Sequence, residues 1–243
     1  METLAVEKPW ARMRPTDPPD PPPAAARSLV SLLQGDADHG PPPVRWTMRA
    51  HRNIYLSGQK PDGLTVLLDG WAFRYCQLAD GRRQILSVLL PGDVLAAGAL
   101  GKPTLEVSIQ ALTPVSLCRF ENQSVRQRIV AEPLLFDTIA LLFVSERERA
   151  DQSLTDIGQR PADERMARFF LQLRARLQER QLGNGDSFAC PLRQRHIADA
   201  MGLTAVHVNR VMGQFRTAGA LDFHRGIVKI LDEAELKAIA NLK

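Results

Sequence analysis

The chain has 243 residues, 44% of them hydrophobic and 24% charged, so it is long enough to bury two modest hydrophobic cores. It has no apolar run of the roughly eighteen residues that span a membrane and no apolar signal segment at its N-terminus, so we expect a cytoplasmic protein without a membrane partner. Three scattered cysteines exclude a disulfide framework and zinc-type ligand spacing, and we expect no metal site.

The net charge of +4 is distributed unevenly along the chain. Residues 1–159 carry 17 Lys and Arg against 18 Asp and Glu, whereas residues 160–243 carry 14 against 9. This asymmetry indicates an anionic partner for the C-terminal part.

The first 43 residues are rich in proline, with ten of the 17 prolines before residue 45. Proline lacks the backbone N–H that regular structure needs, so residues 1–43 are predicted to form a flexible arm. Within it, Ala24–Leu33 is predicted to form a short helix.

Residues 44–131 have the pattern of a β-domain, with short apolar runs between turn signals such as Asp69-Gly70 and Pro91-Gly92-Asp93. Strands at this spacing, without helical periodicity between them, predict an antiparallel barrel or jelly roll. The clearest strands are Asn53–Leu56, Leu64–Leu68, Trp71–Leu78, Gln84–Leu89 and Ser116–Phe120.

After Pro133 the pattern becomes helical, and residues 132–159 are predicted to form a dimerisation helix with a hinge at Gly158-Gln159. The predicted seam repeats at alternating steps of four and three, as in a two-stranded coiled coil. A second apolar edge (Leu135, Ile139, Leu142) is expected to pack on the β-domain. The alternative is an amphipathic helix lying only on its own domain, which Arg147 in the seam would suit. The seam residues are Phe136, Ala140, Phe143, Arg147, Ala150, Leu154 and Ile157.

Residues 160–243 are predicted to form a third unit. Pro161 opens a helix, with two acidic residues in its first turn, that Gly183-Asn184-Gly185 ends, and Ser187–Leu192 is a predicted strand. The buried face of the helix is predicted to consist of Met166, Phe169, Phe170, Leu173 and Leu177.

The segment Gln194–Phe215 has the spacing of a helix-turn-helix. Ala198 is small where two helices approach closely, Gly202 suits a turn with positive φ, and Val208 points inward from the second helix. Thr204 is predicted to cap that helix and Gly219 to end it.

The exposed face of the second helix is predicted to read DNA, because it is polar and basic and carries no acidic residue. Two β-runs between Leu221 and Ile230 form a predicted wing, whose Arg225 is expected to meet phosphate. A helical hairpin used only for packing is the alternative, and it explains neither the polar face nor the wing. The predicted contacts on the helix are Thr204, Ala205, Val206, His207, Asn209, Arg210, Gly213 and Arg216.

Four features together resemble the Crp/Fnr family of bacterial transcription regulators: Asp80-Gly81-Arg82-Arg83-Gln84, Leu90-Pro91-Gly92-Asp93, the long helix after Pro133, and Ile197–Arg210 with the wing. The resemblance covers Val44 to the C-terminus. It implies an α+β fold with an N-terminal antiparallel jelly roll resembling cyclic-nucleotide-binding domains, a long dimerisation helix and a C-terminal winged helix-turn-helix. It also implies a homodimer on a pseudo-palindromic site of double-stranded DNA, in contact with RNA polymerase.

Family members that bind cyclic nucleotides carry Gly-Glu-Leu followed by Arg-Ser/Thr-Ala, and this chain departs from both motifs. After Pro91-Gly92-Asp93 it has Val94-Leu95-Ala96-Ala97-Gly98, and the arginine and hydroxyl positions align with Leu105 and Glu106. An aliphatic side chain and a carboxylate disfavour a bound phosphate, so we expect no cyclic AMP binding. The resemblance is therefore to a FixK-like or effector-unknown branch.

Other cofactors have little support in the sequence. The three cysteines are too few for the four-cysteine iron–sulfur cluster of Fnr-like members. Haem stays open through Cys76, His51 or His39, although Cys76 lies in a β-run and His39 in the arm. Cys190 is a candidate redox handle, while its apolar neighbours favour a core position instead.

The resemblance also predicts where DNA reading departs from the family. Well-known members carry a glutamate at the position of Val206 and an arginine at that of Arg210. Arg210 retains the ability to pair with guanine, whereas Val206 suits a thymine methyl and predicts an altered half-site. No catalytic constellation is present, so we expect no enzyme. Whether a ligand or haem gates binding, or binding is constitutive, stays open.

Overall fold

The computed structural model describes residues 23–34, 41–95, 101, 104–183 and 185–242. The predicted short helix is present as α1 (Ala24–Gln34), and it buries four apolar side chains against the β-domain. The flexible arm was predicted for the rest of residues 1–43. Of these, residues 1–22 and 35–40, with His39, lie outside the described residues.

Seven strands form two antiparallel sheets, as the jelly-roll prediction requires. One sheet has the strand order β1-β7-β3 and the other the order β2-β6-β4-β5. The strands are β1 (Val44–Met48), β2 (Asn53–Tyr55), β3 (Gly63–Asp69), β4 (Ala72–Gln77), β5 (Arg83–Leu89), β6 (Ser108–Ala111) and β7 (Val115–Glu121).

All five strands predicted from the sequence are present, and β1 and β6 are additional. Strand β6 has four residues and β1 has no buried residue, so neither gives a clear apolar run. Helix α2 (Asn122–Ala131) was also not predicted. It buries only Val125 and Arg128, which leaves no apolar stripe of helical period.

The outer faces of the two sheets pack against different parts of the molecule. Alternate residues of β3 point inward and outward, so Leu67 packs between the sheets while Leu64 and Val66 face the helices. The outward residues share a core with α1 and with the long helix α3 (Pro133–Gln159), through Leu135 and Ile139. The predicted second apolar edge of α3 therefore packs on the β-domain.

The hinge lies one residue later than the sequence indicated. Helix α3 continues through Gly158 and Gln159, and the Arg160 N–H still donates to the Asp156 carbonyl at 3.2 Å. Arg160 is extended (φ −106°, ψ 146°) because the ring of Pro161 disfavours helical geometry in the preceding residue. The prediction of a break at Gly158-Gln159 is corrected to Arg160.

Residues 162–239 form a winged-helix unit. Helix α4 (Ala162–Glu179) buries Met166, Phe170, Leu173 and Leu177 as predicted and ends before Gly183, whereas Phe169, also predicted to be buried, is half-buried at the edge of this core. A three-stranded sheet with the order β8-β10-β9 completes the unit. The remaining elements are β8 (Ser187–Ala189), α5 (Gln194–Met201), α6 (Ala205–Thr217), β9 (Leu221–His224), β10 (Ile227–Ile230) and α7 (Glu233–Ile239).

The winged-helix unit packs on the outer face of the four-stranded sheet. Phe73 and Tyr75 of β4 belong to the same buried cluster as the core of the winged helix, and the Phe73 ring lies 5.8 Å from that of His196 on α5. Arg83 donates to Asp199 of α5 at 2.7 Å. The β-domain therefore holds α5, and through it the helix-turn-helix. None of the described helices is long and apolar enough to cross a membrane.

Candidate nucleic-acid interface

The turn between α5 and α6 has the geometry of a helix-turn-helix. Gly202 ends α5 in the left-handed region (φ 65°, ψ 39°), where a side chain would be strained. The Leu203 N–H donates to the Ala198 carbonyl at 3.0 Å, and Ala198 is buried as predicted. The small residue and the glycine thus allow the two helices to approach closely.

Helix α6 begins and ends at the predicted signals. The Thr204 hydroxyl accepts the His207 N–H at 3.2 Å, which caps the helix. At the other end Gly219 has φ 68°, and the Ala220 N–H donates to the Phe215 carbonyl at 2.9 Å. The inward stripe of Val208, Val211, Met212 and Phe215 is buried.

The opposite face of α6 is open to solvent. Val206 is 82% exposed, Asn209 and Arg210 are exposed, and His207 is half-buried. The Arg210 guanidinium contacts His207, with 2.8 Å between Arg210 Nη2 and His207 Nε2. The first two turns of α6 therefore present an apolar group, an amide and a cation on one surface. Thr204, Ala205, Gly213 and Arg216, which were also predicted contacts, are exposed too.

Two further predicted contacts border this face. Arg216 donates to Asp222 of β9 at 2.9 Å, so its guanidinium is already partly engaged within the unit. Arg225 lies at the tip of the β9–β10 hairpin with φ 50°, followed by Gly226 with φ 77°. Consecutive positive φ angles are typical of a tight hairpin turn, which leaves the Arg225 side chain exposed beside the face.

The sequence analysis did not identify the residues that hold the winged-helix unit on the β-domain. Asp93, in the turn after β5, is buried and accepts from Arg176 of α4 at 2.8 Å and from Arg180, the residue after α4, at 2.6 Å. Arg180 also donates to the carbonyl groups of Leu90 and Pro91. The sequence marks Pro91-Gly92-Asp93 as a turn and as part of the family resemblance, but nothing local links Asp93 to arginines more than eighty residues away.

Electrostatics explain the charge state of this cluster. Burial alone would raise the pKa of Asp93, but the two guanidinium groups and the N–H donors of Arg180 and Leu90 outweigh it and hold the pKa below its usual value. Burial lowers the pKa of Arg176 to about 10, which the Asp93 carboxylate opposes. Asp93 is therefore the shared anion of the contact between α4 and the β-domain.

His196 of α5 is a buried, neutral part of the same contact. Its Nδ1 accepts the Arg193 N–H at 3.1 Å. Burial, supported by the neighbouring arginines, lowers the pKa of His196 to about 4. The imidazole therefore packs on Phe73 as an uncharged ring.

The positions that align with a cyclic-nucleotide cassette have no cation. Leu105 is 8% exposed and packs on Tyr55, while Glu106 is exposed. Tyr55 in turn bonds Thr65 at 2.7 Å, and burial raises its pKa. The described residues here offer an aliphatic side chain and a carboxylate, which do not fit a cyclic phosphate; Ala96-Ala97-Gly98 of the same segment lies outside the described residues.

The remaining candidate residues do not come together. Cys76 lies on β4, opposite Gln84 of β5. The His51 N–H donates to the Ala111 carbonyl, and Ala111 lies opposite Ala72, at the other end of β4. Cys76 and Ala72 are four residues, or about 13 Å, apart along this strand. Within the described part of the chain, no group of three His, Cys, Asp or Glu side chains is arranged to hold a metal ion. Cys190 is fully buried, and burial raises its pKa to about 12, which favours the core interpretation over a reactive thiol.

The predicted seam of α3 lies along its exposed side. Phe136 is 56% exposed and Phe143 is 41% exposed. Arg147 donates to Asp151 on the same helix at 2.9 Å. Ala140 is half-buried, and Ala150 and Leu154 are exposed. This side of α3 is apolar without a covering element among the described residues of the protomer.

The β-domain and the winged-helix unit each match a known protein family. Residues 45–131 match the cyclic nucleotide-binding domain family, and residues 164–239 match the Crp-like helix-turn-helix domain family. The nitrogen fixation regulation protein FixK of Bradyrhizobium diazoefficiens is 33% identical over 174 residues, which is 72% of either chain. FixK of Rhizobium meliloti is 29% identical over 223 residues, 90% of this chain and 99% of that one.

The chain belongs to the Crp/Fnr family of transcription regulators. Within the family it is FixK-like. The structure of FixK2 from Bradyrhizobium japonicum superimposes with a TM-score of 0.74 at 25% identity and covers 81% of this chain and 96% of that chain. The α+β fold and the role of a DNA-binding transcription regulator, both expected from the sequence, are confirmed.

Proposed function

We propose that this regulator is a cytoplasmic homodimer that reads a pseudo-palindromic DNA site, with α6 of each protomer in the major groove. The observation that carries the proposal is the capped, exposed face of α6, which bears Asn209 and Arg210 and no acidic residue. Two such helices in successive major grooves would lie about 34 Å apart.

Arg210 is the proposed guanine reader, through a bidentate contact with O6 and N7. Val206 is the proposed point of divergence, since its side chain accepts no hydrogen bond and suits a thymine methyl. Arg225 at the hairpin tip serves as a phosphate contact, which adds affinity without base preference.

Selection of binding sites from random duplex DNA tests this assignment. We expect a pseudo-palindrome with a guanine in each half-site and a base opposite Val206 that differs from the usual family preference; recovery of the ordinary family half-site would contradict the role of Val206. Arg210→Ala should reduce discrimination at the guanine by about 1–3 kcal/mol. Arg225→Ala, the matched control, should weaken binding to all duplexes alike.

The apolar side of α3 is the proposed dimer seam. Phe136 and Phe143 are too exposed for a helix that lies only on its own domain, and their spacing suits a partner helix. Sedimentation of Phe143→Glu should show a monomer where the unmodified chain sediments as a dimer. Leu78→Glu, a change at an exposed residue outside α3, should leave the dimer intact.

We further propose that the chain binds DNA without cyclic AMP. Two residues support this: Leu105 aligns with the family's phosphate-binding arginine, and Glu106 beside it adds a carboxylate. Calorimetric titration should show no binding of cyclic AMP, and micromolar affinity would overturn this. As in the family, RNA polymerase is the expected partner, and no enzymatic activity is expected.

A further inference from the structure

We infer that His207 is a positioning residue for Arg210: its neutral imidazole holds the guanidinium in the orientation that reads guanine. The inference rests on the proposed role of Arg210 and adds a specificity-determining residue to the same surface. Its starting point is the 2.8 Å contact between His207 Nε2 and Arg210 Nη2.

The chemistry of this contact assigns the donor and the acceptor. A guanidinium has five N–H donors and no acceptor, so Arg210 donates and His207 Nε2 supplies the lone pair. The imidazole must then be neutral, with its proton on Nδ1. Because a bidentate guanine contact uses two N–H groups, one hydrogen bond to His207 leaves enough donors for the base.

The local sequence gives Arg210 few other neighbours on the helix. Side chains three and four positions away are those that meet on a helix surface. On the C-terminal side these are Gly213, which has no side chain, and Gln214; on the N-terminal side they are Val206, which is apolar, and His207. With no acidic residue in α6, His207 is the group that orients the guanidinium.

His207 is itself fixed by the start of the helix. Its backbone N–H donates to the Thr204 hydroxyl at 3.2 Å, and its side chain is half-buried. Thr204, His207 and Arg210 thus lie at intervals of three residues on the same side of the N-terminal turns of α6. A long arginine side chain loses rotamer freedom when it binds a base, and this loss costs free energy. An ordered imidazole that already holds the side chain reduces that cost.

Loss of the acceptor on His207 would release the guanidinium. An apolar side chain at this position offers no lone pair, so Arg210 would keep its charge beside the DNA but lose its fixed orientation. Base discrimination should then decrease, while the attraction of Arg210 to DNA phosphates remains.

Charged groups on the elements packed against α6 are mostly engaged elsewhere. The contacts on and next to α4, α5 and β9 include Glu164 with Arg160, Arg168 with Asp156, Arg174 with Glu233, Arg176 and Arg180 with Asp93, Arg195 with His196, Asp199 with Arg83, and Asp222 with Arg216. His224 of β9 is exposed and serves as a control position.

The test measures the ratio of two dissociation constants with the full chain: one for the selected duplex and one for a duplex whose Arg210-contacted G·C pairs are changed to A·T. At pH 8.0 and fixed ionic strength, we expect this ratio to fall by about five- to tenfold in His207→Leu, part of what a bidentate arginine supplies. His207→Gln, which retains an acceptor, should keep the ratio high.

Two controls separate the possible failures. His224→Leu, at an exposed histidine of β9, should leave the ratio unchanged. If Arg210→Ala removes the discrimination while His207→Leu retains it, the role of His207 is refuted and the proposed function stands. If Arg210→Ala leaves the ratio unchanged, the proposed reading by Arg210 fails as well.

Discussion

The winged-helix unit and the jelly roll each have one position where we propose a departure from the family, and the two positions differ in environment. Val206 is on the solvent-exposed face of α6, where a change of side chain leaves the core undisturbed. Leu105 is inside the β-domain and packs on Tyr55, where an aliphatic side chain offers no charge to a phosphate. A change at the exposed position would alter the proposed specificity, whereas a change at the buried position would remove the proposed ligand chemistry.

The jelly roll nevertheless has a structural role in reading, because it carries the winged-helix unit. Asp93 lies in the turn after β5, and it binds Arg176 of α4 and Arg180 directly after that helix. This turn therefore forms part of the contact between the β-domain and the winged-helix unit. The comparison predicts that the β-domain orients the helix-turn-helix, and the experiments below probe this contact, the cap of α6 and the cysteines.

The largest expected effect is that of Asp93→Asn, which leaves the guanidinium groups of Arg176 and Arg180, 17% and 15% exposed, without their buried anion. Removal of one partner of a buried ion pair costs about 3–5 kcal/mol, so the free energy of unfolding should fall by that amount in urea. Asp80→Asn, at an exposed carboxylate paired with Arg82, should leave the midpoint unchanged. A loss below about 1 kcal/mol for Asp93→Asn would mean that the two regions are not coupled here.

The same carboxylate gives a pH dependence. Because the folded pKa of Asp93 is lowered, its contribution is present above the unfolded value of about 3.9 and is lost as the pH falls through the folded value. Stability of the unmodified chain should therefore decrease below about pH 4, and Asp93→Asn should show a smaller decrease over that range.

Thr204→Ala removes the cap of the reading helix and should cost about 1 kcal/mol. The reason is that the His207 N–H loses its acceptor at the first turn of α6. Thr155→Ala is a matched control, since that hydroxyl only bonds the Asp151 carbonyl within α3. Equal unfolding free energies for the two variants would contradict the capping role.

A double-mutant cycle of Arg83→Ala and Asp199→Ala should give a coupling energy of about 0.5–1 kcal/mol between the β-domain and α5. The pair is only partly buried, so solvent screens it more than the Asp93 cluster. Chemical denaturation of the single and double variants measures this energy. Additive effects would indicate that Arg83 acts through its contacts with Phe73 and Tyr75 instead.

The smallest expected effect concerns the cysteines. Burial raises the pKa of Cys118 and raises that of Cys190 to about 12, while Cys76 is half-buried. A thiol reagent at pH 8 should react first with Cys76 in the native protein and with all three cysteines after unfolding. We also expect peroxide to leave DNA affinity unchanged; a loss of affinity that Cys190→Ser prevents would support the redox hypothesis.

Local signals account for the features that were predicted correctly. The start of α6 at Thr204, the turn at Gly202 and the inward stripe of α6 depend on capping, positive φ and helical periodicity, all set within a few residues. Strand β6 and helix α2 were missed because one is four residues long and the other has almost no apolar stripe. The hinge was predicted one residue early because Gly158 does not break α3, whereas Pro161 disfavours helical geometry at the residue before it.

By itself, the sequence determined the helix-turn-helix, the polar face of its second helix, the β-rich character of residues 44–131 and the long helix after Pro133, since each depends on the period of neighbouring residues. The apolar neighbours of Cys190 also favoured its burial, which the structure shows. Only the tertiary structure decided that Asp93 holds Arg176 and Arg180, which are 83 and 87 residues away, and that His207 contacts Arg210. Such contacts depend on how distant elements pack and on which rotamer a side chain adopts, and neither leaves a pattern in the local sequence.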